Sequence, residues 1–455
     1  MTDSISRVLN IKKEELPLVI LSAAFFFCLL CGYYFLRPVR DAMGVSRGMG
    51  ELRLLFVATS LTSLILVLAF GGIVARLNRR QFIPISYIFV ILCLFVFAGL
   101  LIADAASGGG LIGTDIETPT SRIVGYTFFV WLSTINLFVN SIFWAFMVDI
   151  FSVDQGKRAF AFIGVGGTTG ALCGSWATET ISKLTESAYL PAGLMLTGAA
   201  FFGAAIIIMM ILDKVVLASE HPALTIKSIE SPIAVDNHAE HREKIGGSFW
   251  EGLKSVITSP YLLGVGAYIM LMAISNTMIY FTQANIILEN TDTFSQRVSG
   301  FAQFDMVAQV ATLITQIFIT TRVIKRIGVT WTLAILPLVT MAGFAALSVW
   351  TLYGVMAIFQ AVHRATRYAI SRPARETLFS VVSKSEKYKA KPVVDVFLYR
   401  GGDVVGTGVS GLFAAMGATL ATVAAATVPI AGAWAVLCVG VGLGQKRRIQ
   451  SHEAQ

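Results

Sequence analysis

Charge is scarce in this chain. Asp, Glu, Lys and Arg make up 14% of its 455 residues, where water-soluble domains carry about a quarter. A water-soluble body of this size could not hide so much apolar surface, so lipid has to be part of its solvent. Cysteine is equally thin. The five, Cys28, Cys31, Cys93, Cys173 and Cys438, sit in apolar runs and read as small buried hydrophobes. Cys28 and Cys31 have C-x-x-C spacing, but inside a continuous apolar run, which disfavours a redox or metal role. No catalytic triad, metal-ligand set, cofactor motif or nucleic-acid module is present. That argues against an enzyme, against a metal or other cofactor, and against a nucleic-acid partner. No cleavable leader is expected either, because the first apolar run (16–36) is too long and lacks a cleavage site.

What the chain has is hydrophobic length: 55% of its residues are apolar. A membrane-crossing helix needs about 20 apolar residues. That rule gives twelve spans: 17–36, 52–74, 82–103, 122–148, 160–180, 190–212, 258–283, 300–320, 330–350, 351–371, 393–419 and 422–444. Lys and Arg alternate across the loops between them. One side holds Arg7, Lys12 and Lys13, then Arg76, Arg79 and Arg80, then Lys157 and Arg158. It continues with the stretch from Lys214 to Lys254, then Arg322, Lys325 and Arg326, then Lys384, Lys387, Lys389 and Lys391, and finally Lys446, Arg447 and Arg448. The other side is nearly bare, with Lys183, Arg297 and flanking Arg122. The expected placement is a bacterial cytoplasmic (inner) membrane with both termini cytoplasmic. Arg37, Arg40 and Arg47 fall on the outer side and break the rule. The net charge of +8 is thus a matter of topology.

The chain repeats. An offset of 246 residues carries Arg76, Arg79 and Arg80 onto Arg322, Lys325 and Arg326, and Tyr34, Phe35 and Arg37 onto Tyr280, Phe281 and Gln283. With a shorter offset, Gly166, Gly170 and Gly174 resemble Gly402, Gly406 and Ser410, small-residue rows that let helices approach closely. The expected fold is an all-α membrane protein resembling the major facilitators, with two pseudo-symmetric six-helix bundles, 1–213 and 258–455, joined by a cytoplasmic linker, 214–257. The histidines of that linker, His221, His238 and His241, read as solvated chain. The third, sixth, ninth and twelfth spans carry almost no polar side chains and should face lipid.

Polar side chains concentrate in stripes, and inside a membrane such groups face a protein interior or a water-filled cavity. The eighth span carries Asp305, Gln309, Thr312 and Gln316 on one helical face. Asp305 reads either as a coupling carboxylate or as the partner of an Arg that locks the halves together. The tenth span carries Gln360, His363, Arg364 and Arg367, a face suited to an anion, unless its basic residues simply reach for the interface. The fourth presents Ser133, Asn136, Asn140 and Trp144, which shape a pocket or bond between helices. At its end Asp149, Asp154, Lys157 and Arg158 read as a gating ion-pair network. Arg37, Arg40 and Asp41, after Tyr33 and Tyr34, read as an outer gate or anion contact. The Gly164–Gly174 stretch is no phosphate loop, because it lacks the Gly-Lys-Ser/Thr ending.

Several strings together resemble the bacterial branch of the ATP/ADP translocase family of nucleotide transporters, related to the major facilitators. They are Tyr33-Tyr34-Phe35-Leu36-Arg37-Pro38-Val39-Arg40-Asp41, Phe143-Trp144-Ala145-Phe146 leading to Lys157-Arg158, and Ile163-Gly164-Val165-Gly166-Gly167. Next comes the stretch Arg367-Tyr368-Ala369 through Arg372-Pro373-Ala374-Arg375-Glu376. Last are Tyr388-Lys389-Ala390-Lys391 with Asp395, and Tyr399-Arg400-Gly401-Gly402-Asp403. Exchangers of that family carry a lysine near the start of the second span and an acidic residue early in the fourth; here Arg53 and Leu132-Ser133 stand nearest. The resemblance implies transport of a nucleotide or similar anion by alternating access, through a monomer in the lipid bilayer. Tyr34, Arg37, Asn136, Asn140, Trp144, Tyr280, Gln283, Gln360, His363, Arg364 and Arg367 would meet substrate. Asp305, Gln309, Arg40, Asp41, Asp149, Lys157, Arg158, Arg400 and Asp403 would couple or gate. The alternatives are a proton-coupled exporter of a neutral or cationic molecule, and a non-transporting scaffold or sensor.

Overall fold

In the computed structural model, residues 15–74, 79–218, 249–382 and 390–453 are described. Among them every regular element is helical, apart from one isolated bridge between Gly110 and Glu117. The first bundle comprises α1 (Leu16–Val45), α2 (Met49–Val74), α3 (Arg79–Ala106), α4 (Pro119–Ile150), α5 (Val153–Leu184) and α6 (Leu190–Ala218). The short α7 (Phe249–Thr258) leads into the second: α8 (Pro260–Glu289), α9 (Phe294–Phe318), α10 (Thr320–Val349) and α11 (Tyr353–Ala365). The α11 rod runs on through a π-helical turn, Thr366–Ser371, into α12 (Arg372–Glu376) and a 3-10 turn, Thr377–Val381. A second π-helical turn, Val393–Leu398, opens α13 (Tyr399–Ala415), and α14 (Leu420–Glu453) comes last.

Local chemistry sets the starts. At α4 the Thr118 hydroxyl accepts from the Ser121 amide at 3.0 Å, with Pro119 next, where its missing N–H is not needed. Ser152 with Gln155 and Thr293 with Gln296 close the same reciprocal box on α5 and α9. α1 does not stop near residue 36 as its hydropathy suggests. It runs through Pro38 to Val45. Arg37, Arg40 and Asp41 therefore stand inside a helix, where their mutual pairing lets the interior hold them.

Among the described residues, eight helices are long and apolar enough to cross a membrane. The fifth, eighth, tenth and eleventh sequence-read spans fall outside that group. α5 is rich in Gly and Thr, α9 carries Asp305 and several glutamines, and the last two are interrupted by π turns. Large apolar side chains are exposed on α3 (Phe89, Leu92, Phe95), α6 (Ile207, Ile211), α10 (Trp331, Leu338) and α14 (Val436, Leu443). Bands of this kind suit lipid rather than water.

Within the first bundle, α1 packs against α5, α6 and α4. Within the second, α8 packs on α13 and α14, and α10 on α14. The glycine rows explain the closest approaches. A methyl at Gly166 would lie 2.7 Å from the Ala23 carbonyl oxygen, and one at Gly174 would lie 2.5 Å from that of Cys31. In the other bundle a methyl at Gly402 would lie 2.8 Å from the Met270 carbonyl oxygen, and one at Gly406 would lie 3.2 Å from that of Ile274. α5 thus sits on α1 as α13 sits on α8, the same contact in both halves. The bundles meet along α9 against α5 and α1, and along α13 against α2.

One expectation changes. Cys173 is exposed and Cys93 half-buried, because both face the outer apolar band, while Cys28, Cys31 and Cys438 are buried. The stretch 214–257 is helical at both edges, with α6 reaching Ala218 and α7 amphipathic. Residues 219–248, with His221, His238 and His241, lie outside the described residues. So do Arg76, Lys384, Lys387, Lys389 and the side chain of Lys157.

Candidate functional site

The charged residues of the interior fall into a seal and a cavity. The seal lies on the seam between bundles, toward the end where α1 finishes. Asp305 of α9 is 1% exposed. Its Oδ1 accepts from Arg37 Nη1 at 2.9 Å and also pairs with Arg364 of α11. Asp41 accepts from Arg40 Nε at 2.9 Å and from the Tyr280 hydroxyl at 2.8 Å, and it lies 3.7 Å from Arg37 Nε. Gln309 donates to the Tyr34 hydroxyl at 2.6 Å. Behind them Gln360, with its amide nitrogen 2.9 Å from Gln283 Oε1, accepts from Arg364 Nε at 3.3 Å. Nearer that end Thr293 donates to Glu186 at 3.2 Å and Arg297 to Ser46 at 3.4 Å, again across the seam.

Asp305 thus pairs with one arginine from each side of the seam, Arg37 of α1 and Arg364 of α11. Buried charges need such pairing, since an unpaired one is costly. Three arginines face two aspartates here, and Asp305 Oδ2 has no hydrogen-bond partner among the described residues.

The cavity lies below the seal, with a volume of about 730 Å³. Its α2 and α4 wall includes Phe56, Thr59, Phe129, Ser133, Asn136 and Phe138. The rest of the lining includes Arg367, Tyr368, Arg372, Arg375, Glu376, Lys391, Asp395, Tyr399 and Arg400. With Arg40, six basic side chains line it against two carboxylates. Arg367 donates to the Tyr399 hydroxyl at 2.8 Å and lies over the Tyr368 and Tyr399 rings, with its central carbon 5.3 Å and 5.8 Å from their centroids. Arg400 pairs with Asp403 at 3.0 Å, and Asp403 accepts from Thr277 at 3.1 Å. Lys391 lies 2.6 Å and Arg375 3.5 Å from Glu376. Arg372 and Glu376 are exposed, so the rim reaches solvent. Burial pushes the Glu376 carboxyl up, but Lys391 and Arg375 hold it below its ordinary value.

A larger groove of about 950 Å³ between α2, α3 and α4 is apolar and faces the outer band; no charged side chain lines it. Its polar side chains are hydroxyls and an indole, so it offers an anion no positive charge.

The structure sorts the predicted residues. The basic face of α11 divides: Arg364 serves the seal and Arg367 the cavity. Neither reaches outward to the interface, since the Arg364 side chain is 11% exposed and Arg367 points between two tyrosines. His363 is buried against Phe359, ring centroids 6.0 Å apart, with Nε2 unpartnered among the described residues. Tyr34, Arg37, Tyr280, Gln283, Gln309 and Gln360 belong to the seal. On α4, Ser133 accepts from Arg40 at 3.1 Å and Asn136 lines the cavity. Asn140 donates to Asn136 Oδ1 at 2.8 Å. Trp144 leaves the cavity altogether and packs among Phe26, Phe143 and Phe160 at 5.3–5.5 Å. Arg158 pairs with Glu15 at 2.8 Å, tying α5 to the start of α1 inside one bundle. Asp149 and Asp154 lie near it in sequence.

Five charged lining residues were not singled out as site residues from the sequence: Arg372, Arg375, Glu376, Lys391 and Asp395. A regular helix would turn Arg372 off the Arg367 face. The wider π turn at Thr366–Ser371 rotates the residues beyond it, as such turns do at functional sites. Their density of Arg and Lys was the available signal.

The chain matches known carriers along its length. ADP,ATP carrier protein 1 of Chlamydia trachomatis is 23% identical over 471 aligned residues, covering 93% of this chain and 87% of that one. Among solved structures, a bacterial homologue of the iron transporter ferroportin in its inward-facing state superposes with a TM-score of 0.62 at 11% identity, over 94% of this chain and 98% of that one. The nucleoside transporter NupG superposes with a TM-score of 0.54 at 14% identity, over 95% and 99%. At such identities the likeness is one of fold alone, and that fold is all-helical. Residues 120–442 match the profile of the TLC ATP/ADP transporter family, and the chain is a member of that family.

Proposed function

We propose that the protein is a secondary transporter of a nucleotide or related phosphorylated anion, working by alternating access. The observation that carries this reading is the basic cavity between two bundles, closed at one end by ion pairs that cross between them. Guanidinium groups bind phosphate oxygens bidentately, and about 730 Å³ is a fitting size for a small-molecule site. In this reading the chain crosses the membrane twelve times. Its six-helix bundles comprise 1–213 and 258–455, joined by the 214–257 linker. The Lys and Arg bias of the loops supports a cytoplasmic position for both termini and for the cavity mouth, in a bacterial inner membrane. The protein works as a monomer.

Substrate enters from the mouth and meets Arg367, Arg372, Arg375, Lys391 and Arg400. Asn136 and Ser133 face its uncharged part. Substrate charge competes with Asp305 and Asp41 for Arg37, Arg40 and Arg364, so the seal loosens as the mouth closes. The excess of basic lining argues against a proton-coupled exporter of a neutral or cationic molecule, and a charged cavity whose rim reaches solvent argues against a non-transporting scaffold or sensor.

Counterflow with purified protein in liposomes tests this. Labelled nucleotides should accumulate against an internal unlabelled pool. If folded protein exchanges no nucleotide and no other phosphorylated anion, the reading fails.

A further inference from the structure

Two polar atoms among the residues that line the cavity are left without partners. On α2, the Thr59 hydroxyl is buried, its residue 6% exposed, and makes no hydrogen bond among the described residues. On the π-helical turn Val393–Leu398, Asp395 Oδ1 is buried and equally unpartnered. Both residues line the cavity. Buried polar groups almost always find partners, and leaving one unmet is costly.

Asp395 is also an odd lining residue for a site that binds phosphate. It stands with Arg372, Arg375, Lys391 and Arg400, yet its charge repels every phosphate brought near it. A carboxylate oxygen can only accept, so the group that meets Oδ1 must be an O–H or N–H. The Thr59 hydroxyl can take either role.

We propose that Asp395 and Thr59 read the hydrogen-bonding groups that a phosphorylated substrate carries beside its phosphates. They would thereby separate a molecule with hydroxyl or amino donors, such as a nucleotide, from bare polyanions such as pyrophosphate. This rests on the transport reading above and adds the device of selection. The lining then divides the work. The α12–α13 side supplies positive charge for phosphate, and Asp395, whose Oδ1 is unpartnered where Glu376 is paired with Arg375 and Lys391, turns to the rest of the ligand. The lining from α2 and α4 is uncharged and holds the neutral portion among Phe56, Thr59, Phe129 and Asn136. Any bare anion satisfies the basic side but leaves both orphan atoms unmet.

The test uses the full chain in proteoliposomes, with ADP and pyrophosphate as a matched pair of diphosphates. The wild type should favour ADP. Asp395→Asn should narrow that preference about tenfold, with pyrophosphate improving as the repulsion is lifted and ADP weakening. Thr59→Val keeps the shape and removes the hydroxyl; it should weaken ADP several-fold and leave pyrophosphate unchanged. Should Asp395→Asn not fold, Thr59→Val carries the test. Parallel changes for both ligands in both variants would mean a structural role and overturn the inference while leaving transport intact. A wild type indifferent between the two ligands overturns it as well. A wild type that exchanges neither overturns it too, and the transport reading then falls only if the counterflow screen finds no other nucleotide or phosphorylated anion.

Discussion

Asp305 of α9 and Arg37 of α1 meet at 2.9 Å across the seam between the two bundles. They are 268 residues apart in the chain, and the contact exists only because the bundles close on each other at that end. Arg364 completes a triad around the same oxygen. Removing the carboxylate leaves two buried guanidiniums facing each other. Breaking a buried pair by losing one partner costs about 3–5 kcal/mol. Asp305→Asn should therefore lower the melting temperature in detergent by several degrees and cut counterflow more than tenfold. The double variant Asp305→Asn with Arg37→Gln should recover part of the stability, measured as a double-mutant cycle. An unchanged melting curve for the single variant would remove Asp305 as the lock.

Arg367 is held between Tyr368 and Tyr399 with one hydrogen bond to the latter. A lysine keeps the charge and loses the planar fork and the stacking. Arg367→Lys should raise the apparent KM for anion at least tenfold, and Arg367→Gln should abolish uptake, both with near-normal melting. Equal transport by Lys and Arg variants would show that only charge counts at this position.

The small-residue rows make a stability prediction with internal controls. A methyl at Gly166 meets the Ala23 backbone, and one at Gly402 meets Met270 and Ala273. Neighbouring Gly164 and Gly408 look into open space. Gly166→Ala and Gly402→Ala should each destabilise by about 1–3 kcal/mol, as overpacking does. Gly164→Ala and Gly408→Ala should be neutral or slightly stabilising, since alanine suits a helix better. Yield and melting temperature after detergent extraction check this, and indistinguishable pairs would contradict the packing account.

A loop clip gives a dependence on pH. Glu117 takes the Gly113 amide at 2.7 Å and Arg47 and Arg122 at 2.6 Å each. Burial pushes its carboxyl up, but the Gly113 amide, Arg122 and Arg47 together hold it below the usual carboxylate value. A depressed folded-state pKa means that the stabilisation is whole above the unfolded value, about 4.3, and fades as pH falls through the folded one. The wild type should lose more stability than Glu117→Gln between pH 6 and pH 3, read as melting temperature in detergent. Parallel losses would place the acid sensitivity elsewhere.

Much of this protein was written in one dimension. The scarcity of charge and the length of apolar runs dictate a membrane interior, because backbone and side chains in lipid have few other options. The periodic placement of Asp305 with Gln309, and of Arg364 with Arg367, marks the inward faces, since a helix repeats with fixed pitch. The rows at Gly166 and Gly402 announce close helix contact for the same reason.

Periodicity names a face but not the surface opposite it. Only the packed structure decides that Arg364 closes a seal with Asp305 while Arg367, one turn on, looks into a cavity. Trp144 shares the stripe of Asn136 yet packs on Phe26 and Phe160, because the far end of α4 turns that face toward α1 and α5. The π turn after Ala365 shifts the register of everything beyond it, bringing Arg372 and Arg375 to the cavity wall. Contacts across the seam, such as Arg37 with Asp305, depend on how two bundles dock. That docking is set by the summed shape of many side chains, which no local stretch of sequence encodes.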